Sequence, residues 1–287
     1  MRLNTKLHFA IIATAVALVS CNKDGDAPDP WEGIFKENLQ EKYFEYYGVR
    51  YPIVNLKDGK WWMASNLAYL PDGMTASTDL TQTAAGVFAP VRINAEHTAA
   101  EFTTDAKDIA SNGYLYQAEV ALGLKPGALK NEEHAKALEG MRGICPPGWH
   151  VPTIADISGL VGKVASLETV ESAPYYNGSD CTIKALNADG FNMNSVGGVS
   201  IIDKTKTAGT FMGFMKAYPD RLSSSMFCGS SFASFTKNED GSVKNIQFYG
   251  LMPMTNKASE DQYTCNGTKV SFLIGAPLRC VRDQENQ

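Results

Sequence analysis

Cysteine and histidine carry most of the covalent, redox and metal-binding potential of a sequence, and this chain of 287 residues has 6 and 4 of them. The histidines are His8, His97, His134 and His150, with no His-x-x-x-His or His-Glu-x-x-His spacing, and no Cys-x-x-Cys occurs. Zinc needs such convergent ligands, so no metal is expected. His150 sits in the run Trp149-His150-Val151-Pro152 with no local nucleophile, and it reads as a packed, hydrogen-bonded histidine rather than a general base. Ser223, Ser224 and Ser225 lack the Gly-x-Ser-x-Gly frame that activates a serine, and no Gly-rich phosphate loop is present. Calcium requires six to eight oxygens, and Tyr218-Pro219-Asp220 does not supply them. The expectation is a protein without a cofactor and without a catalytic centre.

Cys21 is different. Arg2 and Lys6 precede an apolar run over 9–19, which has the form of a secretory signal. It is too short to span a bilayer, which takes about 20 apolar residues. Leu18-Val19-Ser20-Cys21 then looks like a bacterial lipobox, with cleavage before Cys21 and diacylglycerol on its thiol. Residues 1–20 are therefore read as a lipoprotein signal peptide. Residues 21–30, rich in Asp and Pro, are read as a flexible tether, and 31–287 as a single domain. The Lys23-Asp24-Gly25-Asp26 run beside the anchor resembles acidic export signals, which points to the outer membrane and to the cell surface. With 31 acidic against 26 basic residues the chain has net charge −5, so nucleic acid is not expected as a partner; the membrane, through the lipid, is.

The elements that must position these residues follow from periodicity and turn chemistry. Asp29-Pro30 reads as a helix start, and Trp31, Ile34, Phe35, Leu39 and Tyr43 recur at helical spacing until Gly48. Runs over 50–56 and 60–64 flank Lys57-Asp58-Gly59 and predict a hairpin. Residues 71–113 read as a long decorated connection, and 114–122 and 131–141 as helices. Thr153-Ile154-Ala155-Asp156 matches a capping box opening a helix through about Val164. Five β-rich runs follow over 191–202, 210–216, 230–237, 242–252 and 269–281, with turns expected at Gly197-Gly198, Asp240-Gly241 and Asn266-Gly267. Helices early and antiparallel strands late give an α+β class.

Four segments in this order resemble the Fibrobacter succinogenes major paralogous domain, a family of bacterial secreted and lipoprotein modules. They are Lys60-Trp61-Trp62-Met63-Ala64-Ser65-Asn66-Leu67, Gly113-Tyr114-Leu115-Tyr116, Cys145-Pro146-Pro147-Gly148-Trp149-His150-Val151-Pro152-Thr153, and Gly275-Ala276-Pro277-Leu278-Arg279-Cys280-Val281-Arg282-Asp283. Gly190-Phe191-Asn192 is a further match, while Leu222 stands where that family has Trp. The family in turn looks like a member of the C-type-lectin-like and formylglycine-generating-enzyme superfamily. The resemblance implies a C-type-lectin-like α+β domain with short antiparallel sheets and flanking helices. It also implies a Cys145–Cys280 disulfide between a loop before a capped helix and the terminal strand. Cys181, Cys228 and Cys265 are then an odd number, so at least one is free; a Cys228–Cys265 bridge stays open. The close cysteine pair of a formylglycine-type oxidase is missing, as are the Glu-Pro-Asn and Gln-Pro-Asp triplets of calcium-dependent lectins.

Aromatic faces remain as the means of recognition. Trp61 and Trp62 are adjacent on a strand, so one faces each side of the sheet. Tyr175 and Tyr176 precede Asn177-Gly178, and Phe214 and Tyr218 lie near predicted loops in the half where the resemblance places variable ligand loops. Trp61, Tyr175, Tyr176, Phe214 and Tyr218 are the candidate contacts for a glycan or an envelope or host protein. The expected role is ligand binding or adhesion. The alternatives are a structural subunit of a surface complex or fimbria and, last, a formylglycine-generating-type oxidase.

Overall fold

The computed structural model describes residues 29–161, 183–193, 196–201, 208–215, 218–222, 227–255 and 263–284. Cys21, Tyr175, Tyr176, Cys181 and the Ser223–Ser225 run fall outside them.

The segment expected to be an N-terminal helix is a β-hairpin. Only one turn forms, with the amides of Ile34 and Phe35 donating to the Trp31 carbonyl, before β1 (Phe35–Asn38) and β2 (Tyr43–Tyr46) pair antiparallel. Aromatic side chains at three- and four-residue spacing also suit a strand. Phe35, Tyr43, Phe44 and Tyr46 favour the pleated surface once neighbours are present. Gly48 does not stop a helix. Tyr47 and Gly48, at φ +48° and +75°, form the two-residue left-handed turn into β3 (Val49–Asn55).

The Asp58-Gly59 hairpin is found as expected, linking β3 to β4 (Trp61–Met63) with Asn55 opposite Trp61. Asp58 accepts from the Lys60 amide and from Trp62 Nε1, both at 3.0 Å. Gly59 adopts φ +76°. Beside β4 lies the last strand, β17 (Val281–Arg282), which in turn pairs with β9 (Trp149–His150). The six-stranded sheet thus runs β1-β2-β3-β4-β17-β9. It curls so far that Glu37 on β1 accepts from Trp149 Nε1 at 2.9 Å and from Arg282 Nε at 3.0 Å.

The class is α+β, but strands are not confined to the later half. The connection over 71–113 contains β5 (Val87–Phe88), β6 (Val91–Ile93), β7 (Ala100–Phe102) and α1 (Ala106–Asn112). Strand β6 pairs with β7, and β5 with β8 (Leu115–Tyr116). The helix expected over 114–122 begins as β8 because Tyr116 exchanges backbone hydrogen bonds with Ala276 (2.7 and 3.0 Å). One turn, α2 (Ala118–Ala121), remains. The helix expected over 131–141 is α3 (Glu132–Lys136), capped by Asn131 Oδ1 accepting from the His134 amide. The capping box opens α4 (Ile154–Val161), with Thr153 and Asp156 exchanging side-chain-to-backbone bonds at 2.7 and 3.2 Å.

After α5 (Ile183–Ala188), β10 (Gly198–Ser200) pairs with β11 (Thr210–Met212), and β12 (Phe214–Met215) with β13 (Tyr218–Leu222). A three-stranded antiparallel sheet follows: β14 (Phe232–Lys237), β15 (Val243–Thr255) and β16 (Tyr263–Ser271). Asp240-Gly241 turns between β14 and β15 as expected. Asn266-Gly267 does not turn: both residues stay in the ladder, opposite Met252 and Leu251, because the 13-residue β15 offers partners past them.

Two apolar clusters flank the six-stranded sheet. The larger gathers Phe44, Met63, Leu67, Phe88, Tyr116 and Trp149; the smaller holds Trp62, Ile157, Leu160, Phe191 and Phe227. Trp61 lies half-buried on the larger cluster and Trp62 is buried in the smaller one, as strand alternation requires. Among the described residues no helix is long and apolar enough to cross a membrane.

Candidate functional site: a frame of motif residues around an open cleft

The residues that look most chemical turn out to tie the two ends of the domain together. Cys145 and Cys280, both buried, form a disulfide across 135 positions. Beside it His150 bridges two carboxylates: Nδ1 lies 2.6 Å from Asp283 Oδ1, and Nε2 lies 3.0 Å from Asp156 Oδ2. Asp156 is buried, and its carboxylate also accepts from Lys60 Nζ at 2.6 Å, from Thr153 Oγ1 at 2.6 Å and from the Thr153 amide. Four segments therefore meet on one carboxylate: the β3–β4 hairpin, β9, α4 and, through His150, the C-terminal strand.

The electrostatics follow. Burial alone would push the His150 imidazole down, but hydrogen bonds and charge from Asp156 and Asp283 outweigh it and hold its pKa above the ordinary 6.5. A raised folded-state value means the stabilisation is complete below the unfolded value and fades as pH rises through the folded one. Urea midpoints should therefore fall as pH is raised from 6.5 into the alkaline range, and His150→Gln should flatten that slope. An unchanged slope in the variant would remove the ion pair from this description.

Arg279, buried under β17, performs a similar task. Its Nε donates to Asn66 Oδ1 at 2.7 Å, Nη2 to the Asn192 carbonyl at 2.9 Å, and Nη1 to the Phe191 carbonyl. Its guanidinium carbon stands 4.7 Å from the Phe191 ring centroid. Asn66 belongs to the first motif, Phe191 and Asn192 to the Gly190-Phe191-Asn192 motif and Arg279 itself to the last, so three of them converge here.

Cys228 is free and buried, its Sγ 3.5 Å from the Tyr116 carbonyl, so it is not bridged to Cys265. Burial pushes the thiol up to about 12. Reactivity belongs to the thiolate, so iodoacetamide at neutral pH should leave Cys228 unlabelled in the folded protein and label it in denaturant, read by peptide mass. Labelling under both conditions would contradict its burial. Among the described residues no group of three or more His, Cys, Asp or Glu side chains is arranged to hold a metal ion.

The opening that could take a ligand lies elsewhere. A cleft of about 600 Å³ runs between the turn at 71–75, the segment at 120–126 and Ile144. Met74, Leu124, Pro126 and Ile144 give it apolar walls, and Asp72, Thr75, Gln82 and Lys125 give it polar groups of both charges. This mixture of apolar wall and few polar groups is what small-ligand clefts present.

Its shape is set from beneath. Gly86, at φ +79°, lies so close under the cleft that a Cβ there would stand 2.8 Å from Met74, Val120 and Pro126 side-chain atoms. The far wall is held by Glu119, a buried carboxylate accepting from the amides of Gly127 and Leu129, both at 2.7 Å. Glu119→Ala should cost about 2–3 kcal/mol of stability, since hydrogen bonds to a charged acceptor are lost and two donors are left over. Chemical denaturation measures this, and hydrogen exchange should quicken over 123–130. No change in either would deny the carboxylate its role.

Of the aromatic candidates, Trp61 lies outside the cleft lining. Phe214 and Tyr218 stand on the paired strands β12 and β13, with Met215 opposite Tyr218. Their neighbour Phe211, edge-on to Phe102 at 4.9 Å, lines a shallow groove of about 680 Å³ with Leu80 and Glu101. Tyr175 and Tyr176 lie outside the described residues. The sequence does not single out the cleft residues, because 71–75 and 123–126 read as connections. A signal was available in Gln117 and Glu119, two polar residues inside the otherwise apolar run 114–122.

The interlocked residues are those of the motifs, and their match is extensive. The family model described as Fibrobacter succinogenes major domain covers residues 58–282. No curated protein and no solved structure matches the chain. A match over that length, together with a frame in which the motif residues hold one another, shows that the chain belongs to the Fibrobacter succinogenes major domain family.

Proposed function

We propose that the chain is a cell-envelope lipoprotein, anchored at the outer membrane by lipid on Cys21 and displayed at the cell surface, whose domain binds a ligand in the cleft between 71–75 and 120–126. The observation that carries this reading is the cleft itself, with Asp72, Lys125, Thr75 and Gln82 set against apolar walls. A binding or adhesion role rather than a catalytic one is supported by the positions of the buried and half-buried ionisable groups. Asp156, His150, Glu119 and Arg279 each hold backbone or partner side chains of the frame. A C-type-lectin-like ancestry is supported by the terminal strand inserted between β4 and β9 and by the bridge from Cys145 to Cys280. The ligand class is a glycan or a glycosylated envelope or host protein, since the cleft offers polar groups of both signs beside apolar surface.

The test is binding of the purified mature chain to a panel of glycans, mucins and matrix proteins, alongside Thr75→Trp, which fills the cleft from its exposed edge. Binding by the native chain that the variant weakens at least about tenfold, or about 1.4 kcal/mol, supports the reading. Uniformly absent binding, or binding indifferent to the variant, removes the cleft from it.

A further inference from the structure

The described residues expose three large hydrophobic side chains: Tyr47 at 42%, Val49 at 38% and Met141 at 47%. Shared neighbours link them. Val49 is the strand partner of Tyr46, next to Tyr47, and the Tyr47 ring stacks on Tyr69 with centroids 4.5 Å apart and planes 17° from parallel. Met141 adjoins Arg142, whose guanidinium carbon stands 5.0 Å from the Trp31 ring centroid. Tyr47 is also held at φ +48°, a conformation a bulky side chain rarely adopts. The two-residue turn it shares with Gly48 fixes it there.

This face is also where the chain enters the domain. The Trp31 amide donates to Asp29 Oδ1 at 3.0 Å, and two residues after that turn the Ile34 carbonyl accepts from the Tyr47 amide at 2.8 Å. Cys21 precedes Asp29 by eight residues, so even fully extended that stretch keeps Asp29 within about 29 Å of a lipid on Cys21. A shorter path brings the face to the bilayer itself. Tyr, Trp and Arg with scattered aliphatic groups are the side chains that suit the zone between headgroups and acyl chains.

We infer that the face formed by Trp31, Tyr47, Val49, Tyr69, Met141 and Arg142 rests on the lipid bilayer to which Cys21 is anchored. The inference rests on the lipid-anchor reading, and it adds an orientation. Pro71 and Asp72, which line the cleft, follow Tyr69 by two and three residues, so one edge of the cleft lies beside the docked face rather than opposite it.

The experiment uses the mature chain with a hexahistidine tag in place of Cys21, held on vesicles of phosphatidylethanolamine and phosphatidylglycerol containing a nickel-chelating lipid. Hydrogen exchange is followed by mass spectrometry, with the mass of the native N-terminal peptide recorded separately. Peptides over 44–51 and 138–143 should exchange about tenfold more slowly on vesicles than free, while those over 232–252 should not change. A Tyr47→Asn, Val49→Thr, Met141→Gln chain should lose the protection; Asn tolerates the left-handed turn and Thr the strand, so the fold is preserved. Met141→Glu alone is a milder second variant. Equal exchange with and without vesicles overturns the inference. So does protection that appears without lipid as protein concentration rises, which would make the face an interface between copies of this chain. An unacylated Cys21 in the native peptide overturns the anchor reading instead, and the tagged chain reports the face's affinity for lipid regardless.

Discussion

Breaking the Cys145–Cys280 bond is expected to remove about 3–5 kcal/mol of stability, a large share of what a domain possesses. The bond joins residues 135 apart, and in the chain-entropy view the loop it removes from the unfolded ensemble is worth up to about 5 kcal/mol. Both sulfurs are buried, Cys145 just before the turn into β9 and Cys280 just before β17, so the bridge fixes the pair of strands that closes the six-stranded sheet. Without it, the register of Val281 against both Trp62 and His150 rests on a two-residue strand and on the side-chain pairs Arg282–Glu37 and Asp283–His150. A Cys145→Ala, Cys280→Ala chain, unfolded in urea beside the native protein, should show a midpoint lowered accordingly. Reducing agent should shift the native protein to match and leave the variant unmoved. Equal midpoints would mean that the strands close unaided.

Asp156→Ala is the second large effect, about 3–5 kcal/mol, because one carboxylate serves Lys60, His150 and Thr153 at once. Removing it leaves two cationic partners facing a partly buried site and deletes the Asp156 half of the capping box of α4. Burial alone would raise the Asp156 pKa, but hydrogen bonds from His150, Lys60 and Thr153 prevail and hold it well below the usual carboxylate range. A depressed value stabilises the fold above the unfolded pKa, and that contribution fades as pH falls through the folded one. The native protein should accordingly resist acid to below the pH at which ordinary carboxylates protonate. Asp156→Asn should lose this acid resistance. A variant as acid-stable as the native chain would contradict the network.

What the sequence made legible was local. The capping box of α4 and the Asp58-Gly59 hairpin need only neighbours within a few positions, and both form as expected. The Cys145–Cys280 bridge was implied by family resemblance rather than by any local rule. The helix expected over 31–48 failed because aromatic residues three and four apart satisfy a strand equally well, and Tyr47-Gly48 chose the hairpin. The Asn266-Gly267 turn failed because a long partner strand outweighs a local turn preference. The frame was invisible for a different reason. Arg279 meets Asn66 from 213 positions away, and Lys60 meets Asp156 from 96, distances over which periodicity carries no information. The cleft was missed because its walls are turns, and the carboxylate that shapes it, Glu119, sits in a run that reads as ordinary helix.

The proposed binding role requires display outside the cell, and protease shaving of intact cells followed by mass spectrometry tests that display most directly. Peptides from the exposed turns at 71–75 and 123–130 should be released from intact cells in amounts comparable to those after lysis. Their release only after lysis would place the domain on the inner side of the outer membrane and contradict a surface binding role.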